Sequence, residues 1–358
     1  MSAPTTPAGT TPDGPGPDVP TAPPARVVRG GRTATVGTGA LLAVVVALAV
    51  LPYLVTSATL TSLVTLFVYV VIAVSWNLLA GYGGMVSVGQ QAYIGLGAYG
   101  LVVASDIVGI DPFLAVPLAA VVAGLVSIPV SFLAFRLVGG YFAIGTWVVA
   151  EVFRLVVVQF REVGAGSGTS LRSLAGTDAG LRIAFTYWCG LIVVVAVVAG
   201  TVWLVSSRLG IALTAVRDDA TAAASNGVDV TRVKRIVFVA SAAGAGAAGA
   251  LLALSSLRVQ PDSVFSVQWT AFMVFMVVIG GVGTLEGPLV GALVFFALQE
   301  TLSDLGSVYL VVLGVVAILV VLLAPRGVWG LLDPHRRHGL FPVGHRLAAA
   351  VTSRKAQA

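Results

Sequence analysis

The chain is poor in the side chains that carry most protein chemistry. Its 358 residues include one cysteine (Cys189), three histidines and two lysines (Lys234 and Lys355). A lone thiol forms neither an intrachain disulfide nor a thiolate metal site. His335, His338 and His345 lie together near the C-terminus, away from every apolar run. There is no H-E-x-x-H pair and no G-x-S-x-G nucleophile turn, so the chain is expected to be non-catalytic. The phosphate-cradling pattern G-x-x-x-x-G-K-[ST] is missing as well. Its nearest imitation, Gly280-Gly281-Val282-Gly283-Thr284, has no lysine to reach a phosphate. The chain is therefore expected to bind no cofactor itself, and any ATP and Mg that drive it belong on partner subunits.

Charge is scarce too. Only 10% of residues are charged and 58% are hydrophobic, against roughly 25% charged in a soluble domain. This composition points to an all-α, polytopic membrane protein. A bilayer core of about 30 Å takes roughly 20 apolar residues per helix. That ruler gives about ten spans, near 36–55, 60–79, 85–105, 113–135, 140–160, 183–205, 235–255, 267–284, 288–304 and 307–324. The third and eighth are interrupted by glycine, so broken helices are expected there. The last two are joined so closely around Asp304-Leu305-Gly306 that a hairpin is implied. The 42 glycines suit close helix approach, because lipid offers no hydrophobic drive for helix association.

The net charge of +5 does not indicate nucleic acid, because the basic residues sit mostly in two tails and one loop. By the positive-inside rule these segments are cytoplasmic. Residues 1–35, rich in Pro, Thr and Gly, read as a disordered basic tail, and residues 36–328 as the membrane domain. Residues 329–358 read as a basic cytoplasmic tail. Arg26, Arg29 and Arg32 before the first span fit an uncleaved helix with its N-terminus inside. Ten spans then return the C-terminus to the same side. The largest outer loop, 161–182, carries Gly164 to Gly168 and reads either as a flexible cap over a pathway or as a plain surface loop.

The polar loop 206–235 is the longest interruption between apolar walls, and it is basic at both ends. Within it, residues 219–225 read as a short helix with Asn226-Gly227 as its stop. A small cytoplasmic helix is a handle for a soluble partner to push. Three polar sets stand out elsewhere. Asn77, Gly83, Gly84, Ser87, Gln90 and Gln91 mix glycine with amides between the second and third spans. Such backbone is tolerated at membrane depth only inside protein or beside a water-filled cavity. It therefore reads either as a lining for a polar solute or as tight glycine packing. Gly280, Gly281 and Gly283 form a matching break later in the chain. Glu151 and Arg154, three apart on the fifth span, share a helix face as an intramembrane ion pair. A packing pair and a pathway-lining pair both fit, and a neighbouring arginine argues against a proton relay at Glu151.

Several segments together resemble the branched-chain amino-acid ABC importer permeases of the LivM type. The resemblance rests on Asn77-Leu78-Leu79-Ala80-Gly81-Tyr82-Gly83-Gly84, Ser87-Val88-Gly89, and Gly95-Leu96-Gly97-Ala98-Tyr99. It continues in Glu151-Val152-Phe153-Arg154, Gly164 to Gly168, Ala215-Val216-Arg217-Asp218-Asp219, Gly280 to Leu285, and Pro325-Arg326-Gly327. It covers roughly residues 40–330. It implies one half of a heterodimeric permease in a bacterial inner membrane, working with a second permease subunit and two cytoplasmic ATPases. A periplasmic or lipid-anchored solute-binding protein would deliver the amino acid. It also implies that Arg217, Asp218, Asp219, Ala222, Ala223 and Gly227 form the segment coupled to the ATPase. The family often has a glutamate before the two alanines, where this chain has Ala220-Thr221. Related permeases carry urea or short amides, which keeps that substrate class open. A self-contained secondary carrier using Glu151 or Glu286, and a passive channel, are the competing classes.

Overall fold

The computed structural model describes residues 26–29, 39, 43–302, 308–323, 327–332 and 345–348. The chain divides into two units, residues 30–344 and a small unit from residues 1–29 and 345–358. In the small unit β1 (Arg26–Arg29) pairs antiparallel with β4 (His345–Ala348), Arg26 opposite Ala348. The remainder of the N-terminal tail through residue 38, the 304–306 hairpin and most of the C-terminal tail lie outside the described residues.

The large unit is all-α apart from one tiny ribbon. Its helices are α1 (Ala43–Tyr53), α2 (Ser57–Asn77), α3 (Gln91–Val102), α4 (Pro112–Ala134) and α5 (Gly140–Val158). Next come α6 (Ala179–Ser206), α7 (Arg208–Asp218), α8 (Ala220–Ser225), α9 (Val230–Ser256) and α10 (Pro261–Val264). The last are α11 (Gln268–Gly280), α12 (Glu286–Leu302), α13 (Val308–Leu323) and α14 (Gly327–Leu332). Six stretches among the described residues are long and apolar enough to cross a membrane: Ser57–Tyr82, Pro112–Ala134, Gly140–Val158, Ala179–Ser206, Val230–Ser256 and Pro261–Gly280. The other expected spans are shorter helices here. Residues 83–90 are not helical, so the expected span 85–105 is a 12-residue α3 followed by a π-turn, Val103–Ile107.

Helix α2 is apolar on every side and buried on every side from Phe67 to Asn77, as an all-round hydrophobic helix must be. It packs on α6, α9, α11 and α12. Helix α9 shares the centre and carries the alternating alanines and glycines of residues 240–250. Those small residues let α3 and α4 come against it. A methyl group on Gly249 would fall on the Ile94 carbonyl of α3, and one on Gly97 would fall on the backbone of Gly246. Backbone contact of this kind supplies the packing that lipid does not. Helix α5 lies at the periphery, its long face exposing Ile144, Val148, Val152 and Leu155.

The 161–182 loop is tied to the rest of the unit by hydrogen bonds. Its strand β2 (Thr169–Ser170) pairs antiparallel with β3 (Arg258–Val259). The Asp106 carboxylate accepts from the Arg172 and Ser173 amides, each at 2.9 Å. Leu171 and Leu174 are buried beneath it.

Candidate functional site

The two glycine-rich breaks meet. At the end of α2 the helix widens into a π-turn, Leu78–Tyr82, and stops. There the Asn77 amide bonds the second break twice: Nδ2 donates to the Thr284 carbonyl (2.7 Å) and Oδ1 accepts from the Gly283 amide (2.9 Å). A side chain on Gly81 would strike both Asn77 and the Gly283 nitrogen. Gly280 and Gly281 are buried, and the Gly280 backbone lies against Gly287 of α12. Gly83 is buried while Gly84, at φ +66°, is exposed. Asn77 is expected from the sequence among the candidate path residues. Both of its amide atoms are engaged by the 283–284 turn.

The extended residues beyond Gly84 run between α5 and α11. The Val88 amide donates to Thr146 Oγ1 of α5 (3.2 Å), and the Trp76 indole donates to the Ser87 carbonyl (2.9 Å). Ser87 Oγ accepts from the Gly89 amide (3.2 Å). Thr270 Oγ1 of α11 donates to Gln91 Oε1 (2.5 Å). Gln90, at the start of α3, is fully buried, and neither its amide nitrogen nor its amide oxygen has a hydrogen-bond partner. The Gln91 nitrogen and the Tyr99 hydroxyl are buried in the same condition. Orphaned amide groups cost free energy in an apolar interior and recur where water or a polar ligand enters.

The short helix expected over 219–225 is α8. Asp219 caps it, Oδ1 accepting from the Thr221 amide at 2.8 Å and the Ala222 amide at 3.0 Å. Gly227 closes it at φ +84°. Ala223 is buried against the chain, and Ala222 is exposed with Thr221, Ala224 and Ser225. The segment is tied down at both ends. At its entry Arg217 Nη1 donates to the Gly81 carbonyl (3.1 Å) and Nη2 pairs with Asp218 (3.0 Å). At its exit Arg235 Nε donates to Ser131 Oγ of α4 (3.1 Å), with its guanidinium 4.1 Å from the Phe132 ring centroid.

Glu151 and Arg154 form an ion pair, Nε to Oε1 at 2.9 Å, and Arg154 reaches further to Asp262 of α10 (2.7 Å). On this chain Glu151 is exposed (48%) and Arg154 half-buried (27%). The group is thus a surface triad with one more negative than positive charge. Among the described residues no group of three His, Cys, Asp or Glu is placed to hold a metal ion.

Sequence reasoning missed Thr146, Thr270 and Asp262. A threonine in the apolar runs 141–150 and 268–280 is a faint signal that a spacing argument passes over. The meeting of Arg217 with Gly81, 136 positions away, has no local signature at all.

Comparison with known proteins agrees with this architecture. The family described as branched-chain amino acid transport system, permease component, matches residues 58–323. The chain is similar to the high-affinity branched-chain amino acid transport system permease protein LivM of Salmonella typhimurium, 26% identical over 320 residues, covering 82% of this chain and 75% of that protein. It is also similar to the protein of the same name in Escherichia coli K12, 25% identical over the same shares. No solved structure matches.

Proposed function

From the premise that this chain belongs to the branched-chain amino acid transport system permease family, we propose that it is the membrane subunit of an ATP-binding-cassette importer. It moves a branched-chain or closely related amino acid into a bacterial cell. The energy comes from two ATPase subunits that dock on the α8 segment. A second permease subunit completes the pathway, and a solute-binding protein delivers the cargo outside. Both termini of the chain face the cytoplasm, and α1, α3, α12 and α13 complete a count of about ten crossings. The 17 residues of α12 rise about 26 Å, close to the hydrocarbon thickness.

The observation that carries this reading is the α7–α8 segment. It joins a solvent-facing helix to the glycine break at the end of α2 through Arg217. A carrier with its own coupling ion has no use for such a handle. The unpartnered Gln90 amide and the unpartnered Gln91 nitrogen supply donors and an acceptor suited to the carboxylate and ammonium of a zwitterion.

The test is uptake by the complete complex in proteoliposomes with ATP inside or outside. Labelled leucine, isoleucine or valine should accumulate only when ATP reaches the ATPases and the binding protein is present. Accumulation by this chain alone under a proton gradient would overturn the proposal. Competition by urea but not by leucine would move the substrate to the short amides.

A further inference from the structure

The end of α7 enters the space where the two glycine breaks meet. Arg217 donates through Nη1 to the Gly81 carbonyl, one of the orphan acceptors at the end of α2. Its stem covers Gly84, where an added Cβ would lie 2.9 Å from Cγ. Its Nη1 would lie 3.6 Å from a Cβ on Gly283. On the far side Asn77 fixes Gly283 and Thr284 by two bonds. Asp218 holds the guanidinium fork in place, accepting from Nε at 3.0 Å. Asp219 alone separates α7 from α8 and caps α8 itself. A polar chain of contacts thus runs from the exposed helix to both breaks.

Taking the coupling role of α8 from the proposed function, we propose that Arg217 is the positioning residue that transmits α8 displacement to both breaks at once. Helix α7 also buries Gly210, Leu213 and Val216 and packs Leu209 and Ala212 against the core. Apolar contacts of that kind can slide. A charge-assisted bond to a backbone carbonyl is directional, so it carries the carbonyl with it. Asn77 then carries the 283–284 turn along with α2. Without this link, α8 moves when the ATPases close and the breaks do not follow.

A plain helix cap would also place a cation at the Gly81 carbonyl. The two roles separate in Arg217→Lys. Lysine keeps the charge and can still donate to one carbonyl, but its compact ammonium lacks the planar fork that holds Asp218 and the Gly81 carbonyl together. The experiment measures solute taken up per ATP hydrolysed by the reconstituted complex. With Arg217→Lys, complex yield and thermal stability should match wild type, ATP hydrolysis should persist, and uptake should fall about tenfold, the equivalent of one charge-assisted hydrogen bond. Unchanged uptake overturns the assignment. So does a proportional loss of uptake, hydrolysis and stability, which marks a cap. If Arg217→Lys fails to assemble, Asp218→Asn decides by the same ratio, since it loosens the fork while leaving the arginine. A wild-type complex with no ATP-dependent uptake sinks the functional reading instead, and so is told apart from a failure at Arg217.

Discussion

Gln90 poses a problem of energy at the scale of one residue. Its amide is buried without a partner, and such a group costs about 1–3 kcal/mol. Gln90→Leu has nearly the same volume and removes that cost. It should therefore leave thermal stability in detergent unchanged or raise it, while KM for uptake rises about tenfold, as expected when one bond to a charged group is lost. A loss of stability with KM intact would make Gln90 a packing residue. The ion triad is decided by magnitude as well. An exposed pair is worth about 0.2–1 kcal/mol, and removing one partner of a buried pair costs about 3–5 kcal/mol. The pair sits on the surface of this chain, so a Glu151→Gln, Arg154→Gln double-mutant cycle on the purified subunit should give a coupling of about 0.5 kcal/mol. A coupling of several kcal/mol would show that the pair is desolvated. The pairing itself was legible in the three-residue spacing. Its third member, Asp262, was not, because it comes from another helix 108 positions later.

Helices show the same division between what local sequence carries and what packing adds. The α8 cap, the Gly227 stop and the long apolar α2, α4, α6 and α9 follow from periodicity and end signals alone. The shortening of the third expected span to α3 does not. Apolar composition runs through residues 92–104, but residues 83–90 leave the helix, and Thr146 and Trp76 bond to their backbone. The glycines of α9 are read as flexibility in a sequence and act as surface in the fold. At Gly249 a Cβ meets the Ile94 carbonyl, which is backbone and cannot turn aside. Gly249→Val should therefore push α3 from α9 and destabilise the subunit by about 1–3 kcal/mol, the usual cost of overpacking. Gly200→Val, where nothing lies within 4 Å, is the matched control and should be near neutral. Equal melting temperatures for the two variants would refute the close α3–α9 contact.

Orientation belongs to the molecule as a whole, and it fixes which side a partner can reach. The polar segment spanning α7, α8 and the start of α9 bears Arg208, Arg217, Arg232, Lys234 and Arg235 within 28 positions, partly offset by Asp218, Asp219 and Asp229. The loop between α5 and α6 bears Arg161, Arg172 and Arg182, partly offset by Glu162 and Asp178. The positive-inside rule predicts that the denser basic segment faces the cytoplasm. One helix, α6, separates the two loops and is long and apolar enough to cross a membrane, and a single crossing there puts them on opposite sides whatever the total count. This makes a two-site labelling experiment independent of the span count. In a Cys189→Ala background, Ala222→Cys should react with an impermeant maleimide only in inside-out vesicles, and Glu162→Cys only in intact cells. Both positions are exposed on the chain, so access is set by the membrane rather than by burial. Protection of the thiol introduced on α8 when the ATPase subunits are added would then place their docking surface on that helix. Labelling of the same thiol from the exterior would remove the handle from the cytosol, and with it the proposed route from ATP closure to Arg217 and the two glycine breaks.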